Sequence, residues 1–199
     1  MAENKFVFKK SWIIIAAITI LILMSITQYN GFVTTEQAVK KQWANVESSY
    51  QRRADLIPNL VNTVKGYASH EKSTLTAVIE ARAKATSATI NVDNLSPEEI
   101  QKFQAAQGQI GSALGKLMVI AEKYPDLKAN QNFLELQAQL EGTENRINVE
   151  RNKFNEFVEK FNTKVLKFPG NLMAKMFGFS EKGFFEAQKG TEVAPTVTF

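Results

Sequence analysis

No charged residue interrupts the chain between Lys10 and Glu36, and from Ser11 to Ile26 it reads SWIIIAAITILILMSI. A run with no polar face suits neither a surface helix nor the core helix of a soluble domain. Trp12 to Val33 supplies the roughly 17 to 25 mostly apolar residues that a membrane span needs. Gln28 and Asn30 then fall at the interface, and Trp12, Tyr29 and Phe32 form two aromatic belts. Residues 11–33 are therefore predicted to anchor the chain in a lipid bilayer, with residues 1–10 as a short N-terminal tail. A cleaved signal peptide shares the basic start and apolar middle, but Met24, Ser25 and Ile26 make a poor small-x-small cleavage site.

Beyond the anchor the period changes. Val39, Trp43, Val46, Tyr50, Ile57, Leu60, Val64 and Tyr67 recur three or four positions apart, with Ala54 and Ala68 on the same face. This stripe predicts a long helix that packs lengthwise against others, as in a coiled coil. Pro58 lies inside it, where the ring removes a backbone donor and crowds the Ala54 carbonyl, so the helix should kink or break there. Asn94-Leu95-Ser96-Pro97-Glu98-Glu99 is a helix start, with Ser96 as N-cap, Pro97 in the first helical position and Glu99 closing a capping box. Ile100, Phe103, Ile110, Leu114, Leu117 and Met118 extend that helix from Pro97 to about Lys123, where Tyr124-Pro125 stops it. A third helix starts between Asp126 and Gln131, carries Phe133, Leu136, Leu140, Ile147, Phe154, Val158, Phe161, Val165 and Phe168, and ends at Pro169-Gly170.

The fold class expected is all-α: a transmembrane helix, then an elongated antiparallel bundle over residues 34–178. Three long helices would run up, down and up from the membrane, and a short fourth from Asn171 to Phe177 would close the far end. Residues 179–199 form a C-terminal tail with Phe179, Phe184 and Phe185 but no helical period, and no strand pattern or repeat appears.

Composition narrows the function. Of 199 residues 44% are hydrophobic and 22% charged, an ordinary balance for a folded chain. The formal charge of +4 owes much to Lys5, Lys9 and Lys10, which leave the remainder nearly neutral. No clustered basic face is available to neutralise phosphates, so nucleic acid is set aside. Those lysines also favour a cytoplasmic N-terminus, which places the bundle outside the cytoplasm at the cell membrane. With no cysteine, disulfides, thiolate zinc sites and thiol nucleophiles are excluded.

His70 is the only histidine, and no HExxH, P-loop, GxGxxG or GxSxG motif accompanies it. It reads as a solvated or capped helix residue rather than a general base. Arg52, Arg53, Asp55 and Asn59 on the first helix, with Glu144, Arg146, Arg151, Asn155 and Asn162 on the third, have the spacing to meet across the bundle. They read as ion pairs and amide contacts that fix register, ahead of a binding site. A di-metal carboxylate site would need Glu-x-x-His motifs, which are absent, so no catalytic, cofactor or metal residue is assigned. The Phe and Met cluster near Phe177 reads as a cap on the bundle end, with a partner or membrane surface as the alternative. Val197-Thr198-Phe199 has the apolar-x-apolar form that adds as a strand to a PDZ-type groove.

The chain resembles the LemA family. The resemblance runs from Tyr29-Asn30 and Val33 through Trp43, Val46 and YQRRADLIPNLVNTVKGYASHE (Tyr50 to Glu71) to Glu80-Ala81-Arg82 and LSPEE. It continues through EKYPDLKANQNFLELQAQLEGTENRI (Glu122 to Ile147), Arg151, Phe154-Asn155 and the closing Pro195 to Phe199. It implies a bacterial membrane protein with one N-terminal span and a helical domain, no established activity, and an association with membrane proteases and envelope stress. The function expected is a scaffold or adaptor for other envelope membrane proteins, with a membrane protease system as one candidate partner. The alternative is a self-associating spacer or coat, and an enzyme using His70 or the Glu144, Arg146 and Arg151 group ranks behind both.

Overall fold

The computed structural model describes residues 10–186; the tail ahead of them, with Lys5 and Lys9, and the Val197-Thr198-Phe199 motif lie outside these. Within them the chain is helical and carries no strand: α1 (Lys10–Tyr67), α2 (Lys72–Ser87), α3 (Pro97–Ala121), α4 (Pro125–Lys128), α5 (Gln131–Leu166) and α6 (Gly170–Phe177). Among the described residues α1 is the one helix long and apolar enough to cross a membrane, and its side chains are exposed from Trp12 to Leu23. The predicted boundary at residues 33 and 34 falls inside α1, which runs unbroken into the bundle; Phe32 is already fully buried.

Contacts along α1 give the topology. Gly31, Gln42, Arg53 and Tyr67 hydrogen-bond to Lys164, Glu150, Glu144 and Asn130 respectively, so α5 runs antiparallel to α1. Arg82 of α2 reaches Ala54, while α3 passes Trp43 with Phe103 and Arg53 with Gln107 on its way to a contact between Tyr124 and Glu71. The bundle thus has four helices, α1 up, α2 down, α3 up and α5 down, with α4 as a turn. The expectation of three long helices with the short fourth at the far end is corrected. The stripe that predicted one long first helix stops at the turn after Tyr67, and α2 follows as a separate helix. Its buried positions are Leu75, Val78, Ala81 and Ala85, half of them alanine, which is a faint signal. This extra pass reverses α5, and α6 lands beside the anchor.

Local signals decide the helix ends. Ser96 accepts from the Glu99 backbone N–H (3.3 Å), and Pro97 opens α3. The Glu99 carboxylate pairs with Lys102 (2.8 Å), so Ser96 supplies the cap. Asn130 caps α5 by accepting from the Phe133 N–H at 3.0 Å. Gly178 closes α6 at φ +79°, a left-handed conformation open to glycine without strain.

Pro58 does not break α1. Proline leaves the Ala54 carbonyl without its helical donor, and Ala54 is buried, so the vacancy would cost about 1–3 kcal/mol. The Arg82 Nε–H donates to that carbonyl at 2.8 Å and fills it from α2. Pro58 therefore joins two helices instead of ending one.

This pairing is testable by a double-mutant cycle in urea unfolding of the detergent-solubilised full chain. Arg82→Ala should destabilise the native protein by about 1–3 kcal/mol. In a Pro58→Ala background, where residue 58 again donates to Ala54, the same change should cost measurably less, with a coupling of about 1 kcal/mol. Additive losses would show that Arg82 acts through other contacts.

Candidate functional site

The most densely connected polar group in the bundle is Arg53, 4% exposed on the inward face of α1. Its Nη1 donates to Glu144 Oε2 on α5 (2.8 Å), and its Nη2 donates to Oε1 (2.8 Å) and the backbone carbonyl (3.1 Å) of Gln107 on α3. The Gln107 amide donates onward to the Ala85 carbonyl on α2 at 3.2 Å. One guanidinium therefore links all four bundle helices, and Tyr50 stacks beneath it at 5.0 Å. Burial pushes the Tyr50 hydroxyl above its ordinary pKa, against the pull of Arg151 and Arg53, so the ring stays neutral.

This layer divides the interior. On the side away from the anchor, Ile57, Leu60, Val64, Val78, Ile110, Leu117 and Phe133 form one core. On the anchor side, Phe32, Trp43, Phe103, Phe154, Phe161 and Phe185 form the other. Trp43 centres the second, with ring centroids 5.1 Å from Phe103, 5.5 Å from Phe154 and 6.0 Å from Phe185. Such pairs each add about 0.5–1.5 kcal/mol beyond area burial.

A second layer lies nearer the anchor. Gln42 donates to Glu150 Oε2 at 2.7 Å, and this bond, opposed by desolvation and helped by Lys153 and Arg146, holds the carboxyl below its ordinary pKa. Below it, buried Lys182 pairs with Glu36 at 2.8 Å and donates to the Asp93 carbonyl at 3.3 Å.

Lys182 belongs to an irregular strap, residues 179–186, that doubles back from α6 between α3 and α5. Two side-chain amides of α5 grip its backbone as another strand would. Asn162 accepts from the Lys182 N–H and donates to its carbonyl, both at 2.8 Å, and Asn155 does the same to Phe185 at 2.9 Å. Gln104 of α3 repeats the pattern on Glu186, and Arg151 donates to the Glu186 carbonyl (2.9 Å) while lying over the Phe185 ring. Gly183 passes so near α3 that a Cβ would lie 2.6 Å from Pro97 Cα, which explains the glycine.

Of the residues singled out from sequence, Arg53 meets Glu144, whereas Asn155, Asn162 and Arg151 meet the strap. Arg52 and Asn59 face solvent, Asp55 accepts from Gln51 on its own helix, and Arg146 acts only through its charge on Glu150. His70 is exposed in the turn between α1 and α2, not on a helix. Sequence reasoning missed Gln42, Gln107, Glu150 and Lys182. Gln107 had a signal, since it interrupts the stripe between Phe103 and Ile110 with a buried amide. Among the described residues no cluster of three acidic or histidine side chains could hold a metal ion. The polar groups inside the bundle are directed at one another, an arrangement that fixes helix register.

A family model described as the LemA family matches residues 42–199, which takes in both polar layers, the strap and α6. The chain is similar to the magnetosome protein MamQ of Magnetospirillum gryphiswaldense, at 27% identity over 202 residues, covering 93% of this chain and 72% of that protein. Magnetosome protein MamQ 1 of Paramagnetospirillum magneticum is 26% identical over 201 residues, covering 92% of this chain and 74% of its own length. Protein LemA of Metamycoplasma hominis is 25% identical over 175 residues, covering 88% and 76%.

Two outcomes test the layers. Because Glu144 is 48% exposed and keeps its water, Arg53→Met should cost about 1–3 kcal/mol, chiefly from the unpaired Gln107 oxygen. Arg53→Lys should recover little, since one ammonium cannot span Glu144 and Gln107; a lysine variant of native stability in urea unfolding would remove the guanidinium's special role. The depressed folded pKa of Glu150 contributes stability that is present above its unfolded value of about 4.3 and is lost as pH falls through the folded one. Glu150→Gln should flatten that part of the stability profile, read by denaturation between about pH 3 and 6.

Proposed function

This chain belongs to the LemA family, and from that premise we propose that it is a membrane-associated, non-catalytic protein that holds other envelope membrane proteins in place as a scaffold or adaptor. The observation that carries the reading is the continuity of α1. A single helix of 58 residues, about 87 Å long at 1.5 Å per residue, serves as membrane anchor and as central helix of the bundle. A flexible linker would let the domain wander. A shared helix holds it at one height, with the far tip about 50 Å beyond residue 33. The lysines ahead of the span favour a single-pass orientation with the bundle outside the cytoplasm.

The interior supports a presenting role over a reacting one, since Gln42, Gln107, Glu150 and the two terminal nitrogens of Arg53 are engaged in bonds between helices. Likeness to proteins named for the magnetosome fits membership of a larger structure. The tip offers exposed Tyr67, Val119 and Leu134, apolar positions suited to a partner's surface.

Photoreactive residues placed singly at Val119, Leu134 and Asn59 in intact cells test this reading, with captured chains identified by mass. Reproducible capture of one membrane protein from the tip, absent when the reactive residue sits on the water-facing side at Lys153, is the expected result. Capture of further copies of this chain alone would overturn the adaptor reading in favour of a self-associating spacer.

A further inference from the structure

We propose that the protein has a second membrane contact: α6 and the turn before it lie in the boundary between lipid headgroups and acyl chains of the same bilayer that α1 crosses. The proposal rests on reading residues 11–33 as a membrane span.

The position of α6 comes first. Met173 Sδ lies 3.7 Å from Ser25 Oγ, and the Phe177 ring packs edge-on against Tyr29 at 5.2 Å. Ser25 and Tyr29 stand about 20 and 25 Å along the helix from Trp12, short of the roughly 30 Å of a bilayer's hydrocarbon core. Groups beside them are therefore at membrane depth and not above the surface.

The chemistry of α6 agrees with that depth. At about 100° per residue its surface divides into four sectors, of which Met173 and Phe177 form the one against the anchor. Gly170 and Ala174 pack into the bundle; Asn171 and Lys175 occupy a polar sector; Leu172 and Met176 occupy an apolar sector, 60% and 64% exposed. Phe168 and Leu166, just ahead, are 79% and 56% exposed. In water such a group of large apolar side chains on one short segment would be costly. Between α6 and the anchor runs a groove of about 570 Å³, lined by Ile18, Leu21, Ile22, Ile26, Met176 and Phe177. It opens along the exposed apolar face of α1, the face that lipid covers, so the occupant continuous with it is an acyl chain. Lys167 and Lys175 are exposed beside the apolar sector, at the level where headgroup phosphates would meet them.

Since the native chain has no cysteine, single thiols can be placed at will. Leu172→Cys, Met176→Cys, Asn171→Cys and, within the anchor, Leu21→Cys would each carry an environment-sensitive fluorophore on the full chain. The proteins go into vesicles of phosphatidylethanolamine and phosphatidylglycerol with lipid-borne nitroxide or aqueous iodide as quencher. Helicity by circular dichroism confirms folding of each variant. The expected result is strong lipid-borne quenching and a blue shift at 172 and 176, as at 21, with iodide quenching dominant at 171. Quenching from lipid at 21 but from iodide at 172 and 176 overturns the second contact and leaves the anchor standing. Protection of 172 and 176 from both quenchers overturns it in favour of a protein contact, with a second copy of this chain, on α6. No lipid quenching at 21 removes the anchor reading itself.

Discussion

A buried cation that must be satisfied from three directions governs this fold. Arg53 sits where α1 faces the middle of the bundle, and its planar group cannot be desolvated without acceptors placed around it. Glu144 and Gln107 supply them for its two terminal nitrogens, and Gln107 in turn needs the Ala85 carbonyl. A slide of any one helix by a single residue would shift a partner by about 1.5 Å along the axis and unmake the set. Apolar packing tolerates several nearly equivalent registers between long helices, and the polar layer selects one. The two cores follow from it, each filling the space on its own side.

The same logic explains how one helix runs from its apolar segment to the bundle tip. A proline at position 58 is a fault in an isolated helix, yet the acceptor it exposes becomes a docking point for Arg82. The defect and its repair lie on different helices, so α2 is tied to α1 where α1 alone would be weakest.

Much of this was legible in the chain. The apolar run before Glu36, the cap at Ser96 and the stripes of α3 and α5 are local signals, set by nearest-neighbour geometry, and the structure follows them. Family membership was equally legible. What escaped was non-local. Alanine makes α2 faint as a stripe, and missing it inverted everything after it. The Pro58 rule is correct for a helix in water and fails here only because an arginine 24 positions later reaches back. Arg53 and Glu144 could be proposed as partners from spacing, whereas Gln42 with Glu150, and Lys182 with Glu36, join segments whose proximity no period reveals.

The strap gives the molecule an order of assembly. Every described helix is made before Lys182 and Phe185, yet these two complete the core around Trp43, the half nearest the apolar segment of α1. During synthesis the anchor emerges first and the part of the domain beside it is finished last. Until the strap arrives, the aromatic interior next to the membrane stays open on one side, while the distal core already has all its helices. The protein thus matures from its tip inward, and its least protected surface during that interval is the seam between α3 and α5.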